Sequence, residues 1–340
     1  MSLSVFAKIP VPALKLENPL HYSDSAVSLA KVREPLLSGE LKSRLHRHAL
    51  DLKLDPKYIG NLNVHDFVAK VHDLGVSNHP TPGQNRQWLF ASTLVLFIFE
   101  FDDHFDTAVR LTPENIARVS KDMRDVLRSL SRHNLCGLQG SLEDWPAKVP
   151  CKEAYHWLLR EGEDLREGTA QLIHDTFVDY CYGTEGEVIE WQPDMYRGDF
   201  TAWNLDRYCE IRKRSIGVLF AVLGPLFIRY NWIQKEHITT CIDLLHEAAI
   251  VVALANDVAG MNRDLEDNEA IDITSLKIAA TSSEVVQYHN KKVEVLHKKV
   301  LELECNTWRF MEQVEASVVG LFLWHLNAQR YAVNSEHYTL

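Results

Sequence analysis

Three aspartates, Asp102, Asp103 and Asp106, follow directly on the apolar run "WLFASTLVLFIF", within the stretch "FEFDDHFDT" at 99–107. Carboxylates at the inner end of a buried element repel one another and are costly to desolvate, so they call for a cationic partner. On a helix, Asp102 and Asp106 are four apart and share one face, with Asp103 beside them. Two such carboxylates facing inward make a hard-oxygen site of the kind that suits Mg2+. A solvated acidic helix end is the competing reading. Against it stands the apolar run, which the acids continue.

A second stretch has the same construction. In "VVALANDVAGMNRDLED" (251–267) the apolar segment "AAIVVALA" leads straight into polar ligand types. Asn256, Gly260 and Asp264 are spaced i, i+4, i+8 and stack along one helical face. Asn256 offers a carbonyl oxygen and Asp264 a carboxylate, whereas Asp257 is expected to point elsewhere. Alone, "ND" could be a helix cap. Two buried-then-acidic helices in one chain read instead as two walls of one metal-filled pocket.

Helices are what must position these groups. "PENIARVSKDMRDVLRSLSRH" (113–133) opens with Pro113 at a first helical position and repeats apolar residues every three or four. "KEAYHWLLREGEDLREGTAQLIHDTFVDYCYGTEGEVIEW" holds two more such patterns, and 283–331 reads as one or two long amphipathic helices. Period-2 alternation is nearly absent. "NHPTPG" (78–83) and "SLEDWPAKVPCKE" (141–153) read as loops by composition. The expected architecture is all-α: a single helical catalytic domain over 36–340, after an irregular segment over 1–35 rich in turn formers (Pro10, Pro12, Asn18, Pro19).

Bulk properties narrow the function. The 340 residues are 46% hydrophobic, ample for a sizeable core, with a formal net charge of -11. That balance excludes a nucleic-acid partner, which would need a basic patch. The apolar stretches fall short of the roughly 18 residues that span a bilayer, and the N-terminus lacks a signal-peptide pattern. Six cysteines without metal-ligand rhythm read as reduced thiols, so the expected location is cytoplasmic. No HxxxH or HExxH pair stands on a plausible helix.

Taken together, these motifs resemble a family. "DDHFD" resembles the aspartate-rich motif of class I terpene synthases, and "NDVAGMNRD" resembles their Asn-Asp-x-x-Ser/Thr-x-x-x-Glu motif. "RYCEIRKRSIG" (207–217) looks like their helix-break segment, and "WHLNAQRY" (324–331) like their C-terminal tryptophan and Arg-Tyr pair. The order and approximate spacing match the microbial single-α-domain type. The resemblance implies a helical bundle of the class I terpenoid synthase type. It implies that three Mg2+ ions with bound diphosphate sit on Asp102, Asp103, Asp106, Asn256, Gly260 and Asp264. Arg212 would sense diphosphate, Ser215 would be the linker, and the Ile216 carbonyl would face the substrate. Arg330 and Tyr331 would complete the catalytic set, with Arg263 a further diphosphate contact.

The implied reaction breaks the C–O bond of an isoprenyl diphosphate, farnesyl diphosphate by preference, and cyclises the carbocation. Such a cation needs an apolar, electron-rich pocket. Phe99, Phe105 and Trp324 are the candidates, with Trp88 and Phe220 behind them. Arg214 is expected to face solvent. Two departures stand out: Gly260 where the family has a hydroxyl, and Asp264 where it has Glu. A water would complete coordination at Gly260, which Mg2+ tolerates. Geranylgeranyl diphosphate as substrate, chain elongation and a non-catalytic helical binding protein are the alternatives, and a homodimer is left open.

Overall fold

The computed structural model describes residues 39–61, 82–105, 112–132, 145–267 and 282–303, with single residues and short pieces at 278 and between 307 and 321. Over 258–267 the description is of the backbone alone. The expected irregular segment over 1–35 lies outside the described residues. Helix α1 (Gly39–Asp51) is followed by a 3-10 turn (Pro56–Asn61), α2 (Pro82–Phe105), α3 (Pro113–Arg132), α4 (Lys152–Leu165) and α5 (Thr169–Gly186). A π-helical stretch (Glu187–Trp191) carries α5 into α6 (Gln192–Arg197). Then come α7 (Leu205–Ser215), α8 (Val218–Arg229), α9 (Lys235–Thr240), α10 (Ile242–Asp267) and α11 (Ser282–Leu301). No strand occurs among the described residues, and the all-α expectation holds.

Sequence chemistry sets most of the boundaries. Pro113 opens α3, and Thr112 Oγ1 accepts from the Asn115 backbone N–H at 3.2 Å, supplying a cap. The helix buries Val119, Met123, Val126 and Leu130, the stripe its periodicity predicts. One loop reading is corrected: α2 starts at Pro82, inside "NHPTPG", because proline at the first helical position lacks only an N–H that would have no helical partner. The 283–331 pattern stops after Leu301 and resumes helical at 307.

α2 and α10 each carry a long stretch without a polar face, as does α8. Trp88, Phe90, Leu94, Leu96, Phe97 and Phe101 are buried along α2, as are Ala248 through Ala255 along α10. A helix apolar all round must be covered on every side. α2 is covered by α8 and α4, and α10 by α11, α7 and α8. α5 lies centrally, against α3, α4, α7 and α8. Its Phe177 ring meets Phe97 at 5.0 Å, Phe101 at 5.1 Å and Phe220 at 5.2 Å between centroids. Such pairs contribute about 1 kcal/mol each beyond area burial. This aromatic block fixes the ends of α2 and α5 relative to the break between α7 and α8.

Candidate active site

α7 carries an arginine on its buried stripe. Asn204 caps the helix by accepting from the Arg207 backbone N–H at 2.8 Å. The residues facing inward are Leu205, Tyr208, Cys209, Arg212 and Ser215. A guanidinium at 6% exposure needs ionic partners to repay its desolvation. Arg212 Nη2 donates to Asp257 Oδ1 at 2.6 Å and to Asn256 Oδ1 at 3.5 Å, both on α10. Its Nη1 donates to Glu187 Oε1 at 3.3 Å, at the start of the π-helical stretch. Burial pushes the guanidinium pKa down, but Asp257, Tyr208 and Glu187 outweigh it and hold it above its ordinary value. The Arg212 Nε–H is buried with no hydrogen-bond partner among the described residues.

Two hydroxyls complete this cluster. Tyr208 donates to the second Asp257 oxygen, Oδ2, and Ser215 donates to the same Glu187 oxygen, Oε1, that Arg212 holds. α7 ends at Ser215, and Gly217 at φ 69° turns the chain into α8. A side chain there would be strained in the left-handed region, so the break falls where glycine permits it. Gly183 on α5 lets that helix lie against the break. A Cβ at Gly183 would come 2.6 Å from Arg214 Cβ and closer still to Ser215 N.

Asp102 closes the cluster from the side of α2. Asp102 is solvent-exposed as a residue, while its carboxyl lies against Tyr180. Desolvation, reinforced by the Glu187 charge, pushes its carboxyl up from 3.8 to about 6, against the opposing pull of the Tyr180 hydroxyl and Arg212. Tyr180 Oη donates to Asp102 Oδ1 at 3.0 Å. Asp103 is also exposed and meets Lys57 Nζ at 3.4 Å, from the 3-10 turn. Glu187 and Asp257 therefore pair with the Arg212 guanidinium, and Asp102 lies within reach of its charge.

The structure brings Asp102, Arg212, Ser215 and Asn256 together as one cluster. Ile216 sits at the break, half-buried against the core, and Phe99 is likewise half-buried on α2. Phe105 is buried in the aromatic block, 4.8 Å from Phe101 between centroids. Gly260, Arg263 and Asp264 have helical backbone on α10, and their side chains lie outside the described residues, as do Asp106, Trp324, Arg330 and Tyr331 altogether. Among the described residues no group of three or more His, Cys, Asp or Glu is placed to hold a metal.

One reading is corrected. Asp257, expected to point elsewhere, points into the site, because α7 crosses α10 with Arg212 reaching both Asn256 and Asp257. Arg214 is exposed as expected but engaged, with Nε 3.2 Å from Asp179. Glu187, Tyr180, Tyr208 and Lys57 were not identified from sequence. A signal existed for the first three: Tyr180, Gly183, Thr184 and Glu187 follow i, i+3, i+4, i+7, as Tyr208 precedes Arg212 by one turn.

Comparison with known proteins agrees with this geometry. The family model "Terpene synthase family 2, C-terminal metal binding" matches residues 93–287, over half of the chain, and the chain belongs to that family of metal-binding terpene synthases. No curated protein matches it by sequence. Among solved structures, the SVS_A2 protein from ancestral sequence reconstruction is similar at TM-score 0.60 and 18% identity, covering 85% of each chain. A single-site variant of cucumene synthase gives TM-score 0.59 at 14% identity, over 88% of this chain and 99% of that one. Aristolochene synthase from Penicillium roqueforti gives 0.54 at 13%, over 85% and 94%. At these identities the likeness shows the shared fold. No helix among the described residues is long and apolar enough to cross a membrane.

Proposed function

We propose that this terpene synthase is a cyclase using Mg2+, which ionises a linear isoprenyl diphosphate, farnesyl diphosphate by preference, and cyclises the allylic carbocation with release of diphosphate. The observation that carries this reading is a surplus of acid around Arg212: two buried carboxylates, Glu187 and Asp257, pair with its guanidinium, and Asp102 lies within reach of the same charges. Such an acidic excess is stable only with cations to share it. The donors fit Mg2+: Asp102 and Asp103 supply carboxylate oxygen and Asn256 an amide oxygen, all hard ligands. Asp106 and Asp264 would join them, with a water at Gly260. The metal, when bound, neutralises the charge that develops on the leaving diphosphate.

The chain's own groups do the rest. Arg212 holds a planar fork of donors beside Asp102, and its buried Nε–H has no partner among the described residues; such a fork suits phosphate oxygens. Arg263, Arg330 and Tyr331 would add contacts to the same group. Tyr180 orients the Asp102 carboxylate through its hydrogen bond. The break after Ser215 ends α7 near the site, so the negative end of that helix, Ile216 included, favours a nearby cation. Phe99 and Trp324 would flank the carbocation and exclude water, with the buried aromatic block behind them. The preference for a C15 chain rests on its frequency in the family.

The test is a substrate panel. Geranyl, farnesyl and geranylgeranyl diphosphates are incubated with Mg2+ or with a chelator, with and without isopentenyl diphosphate, and products are identified by mass spectrometry. A cyclic C15 product that disappears with chelator supports the reading. A lengthened diphosphate, or no turnover of any substrate, overturns it.

A further inference from the structure

α8 holds a proline in its interior. Pro225 has helix on both sides of it, within a segment whose other residues from Val218 to Ile228 are apolar or glycine. Proline lacks an N–H, so the carbonyl four residues earlier, that of Ala221, cannot receive its helical hydrogen bond. The pyrrolidine ring also crowds that carbonyl, the contact that kinks helices at proline. A buried carbonyl deprived of its donor is costly, so what this one faces matters.

Exposure and neighbours locate it. α8 is covered by α2, α4, α5 and α10. From Val218 to Ile228 its residues are buried, with the exception of Ala221, which is half-buried. A helix covered on four sides has no outer face, so the accessible surface at Ala221 belongs to an internal space. The Ala221 N–H donates to the Gly217 carbonyl at 3.0 Å, which stacks the two residues one turn apart. A Cβ at Gly217 would stand 3.5 Å from Ile98 of α2 and 3.5 Å from the Tyr180 ring. Ile98 is one turn before Asp102, and Tyr180 donates to the Asp102 carboxylate. Further along, Gly224 packs against Ile173 and Phe90, about two and three turns before Tyr180 and Asp102 on their own helices. α8 therefore leads away from the acidic wall, and Ala221 lies about 6 Å beyond Gly217 along it.

We propose that the backbone carbonyl of Ala221 faces the hydrocarbon part of the substrate pocket and stabilises the carbocation there, and that Pro225 is the positioning residue that keeps this carbonyl from the helix ladder. The proposal rests on the reading of the protein as a carbocation-forming cyclase. At this depth the group meets the isoprenoid chain and not the diphosphate. Its surroundings are apolar: the neighbouring Phe220 ring packs on Phe97 and Phe177. In such surroundings a fixed dipole acts strongly on a nearby cation. The carbonyl forms no bond and takes no proton. The Ala221 methyl is small enough to leave the approach to it open.

P225A tests this, because alanine restores the N–H that closes the bond to the Ala221 carbonyl and changes no charge. One probe is benzyltrimethylammonium, a cation without hydrogen-bond donors, bound by calorimetry in the presence of Mg2+ and inorganic diphosphate. The other is the product mixture formed from farnesyl diphosphate. The ammonium should bind P225A about five- to tenfold more weakly than wild type, while inorganic diphosphate with Mg2+ binds within about threefold. The products should shift from cyclic towards acyclic hydrocarbons. Equal ammonium affinity, an unchanged product mixture, or parallel weakening of ammonium and diphosphate each overturns the proposal. Should P225A not fold, A221L carries the test: leucine covers the accessible surface, and unchanged ammonium affinity or products overturns the proposal. Wild type that turns over no allylic diphosphate sinks the underlying reading, whereas an active wild type whose products P225A reproduces sinks the Ala221 proposal alone.

Discussion

Replacing Asp102 by asparagine is expected to stabilise the metal-free protein while slowing turnover by roughly two orders of magnitude or more. The carboxyl is pushed up from 3.8 to about 6 by desolvation and by the Glu187 charge. A folded-state pKa above the unfolded one means that the charged form is penalised in the fold. The penalty is absent below pH 3.8, where both states are protonated, grows as pH rises towards about 6, and is complete above it. Taken at face value the shift corresponds to about 3 kcal/mol. Asp102 retains solvent on one side, and screening reduces this to about 1 kcal/mol. For a chain of this length that is a rise of about 1–2 °C in Tm. Thermal unfolding of wild type and D102N in chelator, at pH 7.5 and at pH 4, measures it. The gain should appear at pH 7.5 and vanish at pH 4. Saturating Mg2+ should then raise the wild-type Tm and leave that of D102N unchanged, because only the wild type gains binding energy. A lower Tm for D102N at pH 7.5, or the same gain at both pH values, would refute the electrostatic account of this wall.

Further outcomes follow from the Arg212 cluster. R212K should lose nearly as much kcat/KM as R212A, since lysine cannot span Asp257 and Glu187 with one ammonium; near-normal kinetics in R212K would place the guanidinium outside the diphosphate site. D257A should cost about 3–5 kcal/mol in urea denaturation, because it leaves Arg212 and Tyr208 facing a missing buried carboxylate. A midpoint equal to wild type would contradict the cage. R214A should stay within about 1 kcal/mol of wild type in the same denaturation, as its pair with Asp179 is solvent-exposed, and a severe loss would shift the register of "IRKRSIG".

Much of this was legible in the chain. Runs such as "WLFASTLVLFIF" and "AAIVVALA" permit only buried helices, so α2 and α10 could be read directly. Gly217 after "IRKRSI" marked the break. Illegible was which neighbour of a given residue faces inward. Asn256 and Asp257 differ by one helical step of about 100°, and only the crossing of α7 over α10 decides that both reach Arg212. Glu187 was hidden differently. In "YGTEGEVIEW" it is one of three glutamates within six residues; it shares the helical stripe of Tyr180 and Gly183, but the π-helical stretch that aims it leaves no pattern in composition. Lys57 lies far from Asp103 in sequence, and their pairing is a tertiary fact.

The central claim is that the carboxylates beside Arg212 gather metal for ionisation of an isoprenyl diphosphate. Its most direct test is the release of inorganic diphosphate from farnesyl diphosphate, measured beside the hydrocarbon formed, in wild type and in D102N. Wild type should release diphosphate in step with a cyclic hydrocarbon, only with Mg2+, and D102N should be slower by roughly two orders of magnitude or more. Equal release by D102N and wild type at saturating Mg2+ would contradict it.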